Sequence, residues 1–326
     1  MPATLIVLGV EAKHPFLVSN FSPFKRVKEV NFEWEVVIAM GDYKHPEVLV
    51  STEWVSRHAD DPQVRLVEVD LDTTAYGKGH IKNAIGWNWQ SQLQDNVRRD
   101  LVGQRKFEEL CGESGISNDS TVILYGENSN WFAAYALWQF IYYGHQDVRL
   151  MNGSRKKWEL EKRPFTMDLP HITPATYKAN QPVEGIRAKR EQVFQILAKK
   201  NGVLVDVRSP DEFTGKVIAP PGMTETAQRG GHIPGAMNIP WSKTVAEDGT
   251  FKPYDELLNL YNSQGIRPDR ETVAYCRIGE RSSHTWFVLK YLLGFENVRN
   301  YDGSWTEWGN LVDAPIERGA SATAEA

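Results

Sequence analysis

The sequence predicts an α/β fold made of two similar domains, each a mainly parallel sheet with helices on both faces. Short apolar runs alternate with amphipathic helical patterns along the chain, which is the order that parallel sheets require. Three sequence blocks also recur in the same order, with a period of about 150 residues that suits a duplicated domain. A length of 326 residues is enough for two such domains, each with its own core.

Two of the repeated blocks are predicted strands. Leu66–Asp70 matches Leu204–Arg208, and Thr121–Tyr125 matches Thr272–Cys276. Apolar runs of this length are typical of strands that are buried inside a parallel sheet. Helical patterns accompany these strands, at Phe107–Cys111, Trp131–Tyr143, Tyr254–Tyr261 and Ser282–Leu293.

The remaining block is a Gly-His-Ile segment that ends at a tryptophan. Gly79–Trp89 and Gly231–Trp241 have identical spacing. Because both copies contain the histidine, we expect structural roles for His80 and His232. A residue that is present in both copies cannot explain a chemical difference between them.

The repeat also predicts the domain organisation. We expect an N-terminal extension at 1–45, a first domain at 46–165, a linker at 166–185, a second domain at 186–318 and a tail at 319–326. The linker is predicted to be extended because prolines lie in or beside it. Met40 is a hypothetical alternative start, since the extension matches neither copy. The loop between Arg208 and Gly231 is 14 residues longer than its counterpart in the first copy.

The composition excludes several classes of protein. The 37 basic and 42 acidic residues give a net charge of −5, so no broad positive field favours nucleic acid or an anionic membrane. No apolar run reaches the roughly 20 residues of a membrane helix, and Met1–Val10 lacks the basic start of a signal peptide. Two cysteines are too few for a disulfide framework or a thiolate zinc site. We therefore expect a cytoplasmic protein without a bound metal.

The copies differ most at the end of the Thr-Val strand, where the second copy has a cysteine. Residues Cys276–Arg281 read Cys-Arg-Ile-Gly-Glu-Arg, and a helix is predicted to follow. The carboxyl end of a parallel strand is where open α/β sheets bind ligands. Arg277, Arg281 and a helix amino terminus favour a thiolate, while Gly279 would let backbone amides point toward an anion. We therefore predict that Cys276 is an accessible, ionised nucleophile.

Simpler interpretations of the cysteines stay open. A free cysteine is often an inert core residue, and Cys111, which lies in a helical pattern without basic neighbours, fits that description. Cys276 fits it less well because two arginines lie in its loop. A cysteine phosphatase would have the arginine one position later, where this chain has Ser282, so phosphatase activity is a minor hypothesis.

The chain resembles tandem-domain rhodaneses, in particular thiosulfate sulfurtransferases. The resemblance depends on the six-residue CRxGxR loop, the two Gly-His-Ile blocks and a duplication with this cysteine in the second copy only, and it covers about residues 46 to 318. It implies two rhodanese folds, the first of them without catalytic activity. It also implies an active site near the domain interface and no cofactor.

The resemblance further implies a double displacement. The Cys276 thiolate would attack the outer sulfur of thiosulfate, sulfite would leave, and a thiophile such as cyanide would take the sulfur from the persulfide. Arg277 and Arg281 would bind the sulfonate end of the donor. Thioredoxin or another sulfur-accepting protein is a further expected partner. The rest of the active-site loop consists of Ile278, Gly279 and Glu280.

Two related functions stay open at this point. A persulfide carrier that delivers sulfur to a protein partner would have the same loop. In 3-mercaptopyruvate sulfurtransferase, an arginine shortly after the Asp-x-Arg motif typically binds the substrate carboxylate. Here that position is Glu212, which would repel a carboxylate, although the longer loop could bring Arg229 into the pocket.

Three residues near the cysteine have alternative roles. Asp206 and Arg208 follow a strand of the second copy, where the resemblance places residues that pack against the cysteine loop. Asp206 would then orient Arg277 or Arg281, or else Asp206 and Arg208 form an ion pair that fixes the strand end. We expect a packing role for His284, because its position in the helix suits packing better than catalysis.

Overall fold

The computed structural model describes residues 42–219 and 227–319. The hypothetical start at Met40 and the tip of the longer loop lie outside the described residues. The strands are β1 (Leu49–Val50), β2 (Val64–Asp70), β3 (Ile85–Asn88), β4 (Gln94–Asp95), β5 (Asp100–Leu101), β6 (Thr121–Tyr125), β7 (Val148–Met151), β8 (Gly202–Asp206), β9 (Met237–Asn238), β10 (Glu271–Tyr275) and β11 (Val298–Tyr301).

The strands form one parallel sheet in each half of the chain. The first sheet has the order β1-β7-β6-β2-β3 and the second has the order β11-β10-β8-β9. Neighbouring strands are parallel throughout both sheets, whereas β4 and β5 form a separate antiparallel ribbon. The predicted fold class is therefore confirmed.

Helices separate the strands along the chain. They are α1 (Thr52–His58), α2 (Thr74–Lys78), α3 (Trp89–Gln92), α4 (Gln104–Glu113), α5 (Trp131–Tyr142), α6 (Ser154–Leu160), α7 (Arg190–Lys199), α8 (Pro210–Thr214), α9 (Tyr254–Asn262), α10 (Glu280–Phe287) and α11 (Ser304–Trp308). Helix α10 begins two residues before the predicted Ser282 and continues through a π-helical turn at Val288–Leu292. Among the helices of the described residues, none combines the length and apolarity needed to cross a bilayer.

Successive residues of the central strands face opposite sides of each sheet. In β6, Val122 and Leu124 contribute to an apolar core that both halves share, whereas Ile123 and Tyr125 contribute to an outer core. The same alternation in β8 places Leu204 in the outer core of the second half. Both faces of each sheet are thus buried, as expected for parallel strands.

The two halves pack against each other through α5 and α10. At this interface the rings of Trp131 and Trp241 meet edge to face, with their centroids 4.8 Å apart. Arg187 Nη2 lies 2.6 Å from a carboxylate oxygen of Asp100 in the first half and 2.8 Å from one of Asp302 in the second. One guanidinium therefore joins both halves at the edge of their shared core.

The segment 166–185 crosses from one half to the other in an extended conformation and is hydrogen-bonded to the first half. The amide of Ala175 donates to the carbonyl of Gly112 at 2.9 Å, and the amide of Asn180 donates to that of Tyr143 at 3.0 Å. The exact domain boundaries stay a prediction.

Candidate active site

The Cys276 loop connects β10 to α10. Cys276 follows the last residue of the strand, and Gly279 has a φ of 103° immediately before the helix begins at Glu280. A Cβ atom on Gly279 would lie 2.9 Å from the Cα of Asp302. Only glycine therefore allows the loop to turn this tightly against its neighbour.

Polar groups surround the sulfur of Cys276. The amide of Gly279 donates to Sγ at 3.1 Å, and the hydroxyl of Ser282 donates to it at 3.6 Å. Oε2 of Glu280 lies 3.2 Å from Sγ and accepts a hydrogen bond from the thiol. The two donors stabilise a thiolate, whereas the carboxylate favours the protonated thiol.

The prediction of an accessible, ionised sulfur is wrong for this structure. Cys276 is 0% exposed, and its pKa is raised, first by burial and then by the negative charge of Glu280. Arg281 and Ser282 act in the opposite direction without compensating for burial. Burial and Glu280 thus favour the thiol over the thiolate, and a reaction at the buried sulfur requires the loop to admit substrate. The core position predicted for Cys111 is confirmed, since it is also fully buried.

Arg281 forms a buried ion pair with Glu212. Its Nη1 and Nη2 atoms bond to the two carboxylate oxygens at 2.9 and 3.0 Å, and its guanidinium lies over the ring of Trp131. Burial alone would raise the pKa of Glu212, but the hydrogen bonds and charge of Arg281 lower it below its usual value. Arg281 neutralises Glu212 in this structure, and repulsion of the 3-mercaptopyruvate carboxylate by Glu212 stays a prediction.

Arg277 and Ile278 complete the loop and are almost fully buried, with exposed fractions of 2% and 4%. The carbonyl of Arg277 accepts hydrogen bonds from the amide and hydroxyl of Thr306 at 3.0 and 2.8 Å. Both arginines of the sequence motif are therefore buried within the loop. Their role in binding a donor stays a prediction.

Asp206 and Arg208 pair with each other at the end of β8. Nη2 of Arg208 lies 2.6 Å from Asp206 Oδ2 and 2.7 Å from the carbonyl oxygen of Gly231. Both side chains are 0% exposed, and the Arg208 guanidinium lies 4.6 Å from the ring centroid of Trp305. Of the two roles considered for Asp206, the structure thus shows the ion pair. The carboxylate that orients Arg281 is Glu212 instead.

Sequence reasoning missed two residues that hold the loop, one in β11 and one in α11. The Asn300 side chain accepts a hydrogen bond from Ser282 Oγ at 2.6 Å and donates to Ser283 Oγ at 2.9 Å. Ser304 Oγ accepts a hydrogen bond from the amide of Cys276 at 3.0 Å. The sequence repeat could have identified Ser304, because a serine follows the Asn-Gly or Asp-Gly pair in both copies, at Ser154 and Ser304.

The comparison with known families agrees with this geometry. The rhodanese-like domain matches the chain twice, at residues 51–161 and 190–311. The chain belongs to the rhodanese family. The two matches fall on the two parallel sheets, so the sheets are two rhodanese domains in tandem.

Relatives of this rhodanese are similar over nearly their whole length. A Haloferax volcanii protein named "Putative thiosulfate sulfurtransferase" is 59% identical over 84% of this chain and 97% of its own. A Thermus thermophilus protein named "Sulfur carrier protein TtuD" is 54% identical over 85% of this chain and 99% of its own. The anaerobic ergothioneine biosynthesis enzyme from Chlorobium limicola, at 24% identity, has a TM-score of 0.75 over 85% of this chain and 72% of its own, which shows the shared fold. This rhodanese is therefore a member of a sulfurtransferase family.

The structure corrects the alignment of the two rhodanese domains at the cysteine. The Tyr125 and Tyr275 hydroxyls accept hydrogen bonds from equivalent amides, those of Ile81 and Ile233, at 3.2 and 3.1 Å. Tyr125 is therefore the counterpart of Tyr275, so the first domain has Gly126 at the position of Cys276. The first domain thus lacks a side chain at the nucleophile position.

Three residues considered from the sequence lie elsewhere in the rhodanese domains. His232 stacks on Phe213 as His80 stacks on Tyr76, which supports structural roles in both copies. The guanidinium of Arg229 donates to four backbone carbonyls, those of Trp308, Gly309, Leu311 and Ala314. The idea that the longer loop brings Arg229 into the pocket is therefore wrong.

His284 is a packing residue. It is fully buried between the rings of Trp241 and Phe251, and burial lowers its pKa to about 3. A neutral imidazole in an aromatic environment cannot supply positive charge to the Cys276 loop.

Proposed function

We propose that this rhodanese transfers sulfane sulfur from thiosulfate to a thiophilic acceptor through a persulfide on Cys276. The observation that carries the proposal is the loop geometry, in which the Gly279 amide and the Ser282 hydroxyl both point at Sγ. Donors in these positions suit an anionic sulfur that forms during the reaction. A six-residue loop is better suited to one additional sulfur atom than to the larger phosphate group of a cysteine phosphatase.

The first half-reaction begins when the thiol proton passes to the carboxylate of Glu280, whose Oε2 lies 3.2 Å from Sγ. The Cys276 thiolate attacks the outer sulfur of thiosulfate, the bond between the two thiosulfate sulfurs breaks, and sulfite leaves with the electron pair. In the second half-reaction, cyanide attacks the outer sulfur of the persulfide, thiocyanate leaves, and the thiolate is restored. Neither half-reaction needs an oxidant, a reductant or a metal.

The two arginines of the loop favour thiosulfate as the donor. Arg277 and Arg281 both belong to the Cys276 loop, and Arg281 lies between Glu212 and Glu280. While it stays paired with Glu212, Arg281 would use its remaining N–H groups for charge-assisted hydrogen bonds to the sulfonate oxygens of a dianionic donor. The name of the Haloferax volcanii relative also refers to thiosulfate.

Delivery of sulfur to a protein partner is the second candidate function. The Thermus thermophilus relative is named as a sulfur carrier. Burial of Cys276 also suits a carrier, because a persulfide that is shielded from solvent is protected between loading and delivery. The two functions share the first half-reaction and differ in the acceptor.

Intact-mass spectrometry tests the shared step. Treatment with thiosulfate is expected to add one sulfur atom to the wild-type protein, and cyanide is expected to remove it. Cys276→Ala should abolish the gain, whereas the matched control Cys111→Ala should retain it. A wild-type protein that gains no sulfur, or a Cys276→Ala protein that does, would contradict the proposal.

Steady-state kinetics then separate the donors and the acceptors. Release of sulfite with thiosulfate and cyanide, at a rate well above that of pyruvate release from 3-mercaptopyruvate, is expected for the proposed enzyme. Stable persulfide loading with negligible turnover would favour the carrier. Faster use of 3-mercaptopyruvate would contradict the assignment of the donor.

A further inference from the structure

One segment of the second domain supports the Cys276 loop from behind. This support segment, residues 300–306, covers the end of β11 and the start of α11. Its Ser304 hydroxyl accepts a hydrogen bond from the amide of Cys276 at 3.0 Å, and its Asp302 packs so closely on Gly279 that an added Cβ atom would lie 2.9 Å from the Asp302 Cα. The position of the loop therefore depends on the position of the support segment.

Arg187 connects the support segment to the first domain. Its guanidinium donates to both carboxylate oxygens of Asp302, at 2.9 and 2.8 Å, and its Nη2 also donates to Oδ1 of Asp100 at 2.6 Å. The backbone of Arg187 pairs with Asn300, at the other end of the segment. Asp100 lies in β5 of the first domain. The ion-pair network of Asp100, Arg187 and Asp302 therefore ties the support of the cysteine loop to the domain that lacks the cysteine.

The network differs between the two copies of the domain. Arg187 and Leu49 occupy equivalent positions, because each pairs in parallel with the third residue of the strand before the turn, β11 or β7. Asn152 of the Asn-Gly-Ser turn stands where the second copy has Asp302. It accepts a hydrogen bond from the backbone amide of Phe251 at 3.0 Å instead. Only the copy with the nucleophile thus has charged side chains at both positions, so the network can contribute to the difference in chemistry.

The bond between Asp100 and Arg187 is the weaker part of the network. It is a single hydrogen-bonded ion pair, and the Asp100 side chain is 37% exposed, whereas the side chains of Arg187 and Asp302 are each 10% exposed. Burial alone would raise the pKa of Asp100, but the hydrogen bond and charge of Arg187 lower it, so this carboxylate is charged at neutral pH. Because exposed ion pairs are weaker than buried bidentate ones, the network breaks most readily between the domains.

The sulfur of Cys276 is covered by both domains. Cys276 is 0% exposed and belongs to the apolar core that the two domains share. A reagent reaches the sulfur when the loop moves away from its neighbours, and the support segment moves with the loop. An interaction that ties this segment to the first domain therefore stabilises the closed conformation.

We propose that Asp100 is a positioning residue that acts through Arg187 to hold the Cys276 loop closed. The sulfur becomes accessible when the bond between Asp100 and Arg187 breaks, while Arg187 stays paired with Asp302 and moves with the support segment. The first domain thereby controls access to a nucleophile that it does not contain. The effect on sulfur transfer rests on the proposed function, whereas the effect on access to the sulfur does not.

Alkylation by iodoacetamide tests the proposal, with the rate at each cysteine followed by peptide mass spectrometry. Asp100→Ala is compared with Asp248→Ala, which breaks another ion pair between the domains, Lys157 to Asp248 at 2.8 Å, away from the Cys276 loop. Asp100→Ala is expected to raise the rate at Cys276 about fivefold, the effect of losing one partly exposed ion pair from the closed state. Asp248→Ala should match the wild type. Cys111, which is buried in the first domain, reports global unfolding and should label at the wild-type rate in both variants.

The pH dependence of alkylation separates access from ionisation. Asp100→Ala should raise the rate at Cys276 by the same factor at every pH and leave the pH midpoint unchanged, because the charges next to the sulfur stay the same. Asp100→Asn keeps an acceptor oxygen without the charge, so its rate should lie between those of the wild type and Asp100→Ala.

Four outcomes would overturn the proposal: an unchanged rate at Cys276, an equal rise at Cys111, an equal rise in Asp248→Ala, or a shifted pH midpoint. In protein loaded with thiosulfate, Asp100→Ala should also release sulfur to cyanide faster than the wild type. If thiosulfate fails to load the wild type, the proposed function fails. Alkylation needs no sulfur donor, so it still decides the role of Asp100.

Discussion

Cys276 and Glu280 form the contact that most affects the chemistry of the loop. A carboxylate oxygen 3.2 Å from a buried sulfur favours the thiol over the thiolate. The same side chain also lies 3.5 Å from Arg281, where its charge weakens the effect of that cation on the sulfur. In the free protein the unreactive thiol form is therefore favoured first by burial and then by the neighbouring carboxylate.

Glu280→Gln is expected to lower the pKa of Cys276, because it removes the negative charge next to the sulfur while keeping its shape. The thiolate is the reactive form, so the pH at which iodoacetamide labels Cys276 at half its maximal rate should fall. The measurement uses a Cys111→Ala background, with Glu109→Gln on the surface of α4 as control. A midpoint that stays at the wild-type pH, or rises, would contradict the role given to Glu280.

Arg281 and Glu212 are predicted to stabilise the fold together. Arg281→Ala leaves a buried carboxylate without its cation, which costs about 3–5 kcal/mol in free energy of unfolding at neutral pH. The pKa of Glu212 is lowered in the folded state, so this stability is present above the carboxyl pKa of the unfolded chain, about 4.3, and is lost as pH falls through the folded value.

Urea unfolding at pH 7 and below pH 4 measures this contribution. The difference between wild type and Arg281→Ala should shrink in acid, where Glu212 becomes protonated and no longer needs a partner. The double variant Arg281→Met/Glu212→Leu should recover most of the stability at pH 7, since both buried charges are removed. A difference that is independent of pH would contradict the pairing.

At the scale of single elements, the turn from β10 into α10 determines where the sulfur lies. Gly279 turns the chain with a positive φ, and its carbonyl accepts hydrogen bonds from the Ser282 and Ser283 hydroxyls at 3.1 and 2.7 Å. The amide of Gly279 can therefore point at Sγ while its carbonyl is bonded to the helix. One residue thus contributes a donor to the sulfur and a fixed start to α10.

Gly279→Ala is expected to disrupt this turn. The added methyl group would lie 2.9 Å from the Cα of Asp302, and the residue would have to keep a φ of 103°. We expect a loss of about 1–3 kcal/mol in free energy of unfolding and a loss of sulfur loading. Gly265→Ala, where a positive φ is present without a close contact, is the matched control and should load normally. Normal loading by Gly279→Ala would contradict the assigned geometry.

The elements that could be predicted from the sequence are those with a local signal. Thr121–Tyr125 is a strand with the predicted bounds because apolar residues there are consecutive and a serine and a glycine flank them. The pairing of Arg281 with Glu212 had no such signal, since 69 positions separate them and only the fold brings them together. Burial of Cys276 was missed for the same reason. Charges adjacent in sequence suggested an ionised sulfur, but burial by the tertiary structure decides its pKa.

At the scale of the whole molecule, the two domains share one continuous apolar core. Strands of both sheets and the facing helices α5 and α10 contribute to it. The chain that enters the first domain is also tied to the second, because the Tyr43 hydroxyl donates to the carbonyl of Lys252 at 2.7 Å. The first domain thus contributes a wall to the site although it has a glycine, Gly126, at the nucleophile position.

A substitution of Trp131 can measure how much the first domain supports the active site. Its ring belongs to the first domain but meets Trp241 edge to face and lies under the guanidinium of Arg281. Trp131→Ala would remove both contacts and is expected to lower the free energy of unfolding by about 2–4 kcal/mol. It should also raise the KM for thiosulfate, because Arg281 loses the surface that positions it, while Trp131→Phe should keep most of both properties.

Chemical unfolding followed by tryptophan fluorescence and by circular dichroism checks the effect on the domains. A shared core predicts one transition that both probes report at the same denaturant concentration in the wild type. In Trp131→Ala the transition should move to lower denaturant and the two probes should separate as the domains unfold independently. A wild type with two well-separated transitions, or a KM that Trp131→Ala leaves unchanged, would show that the first domain does not support the site.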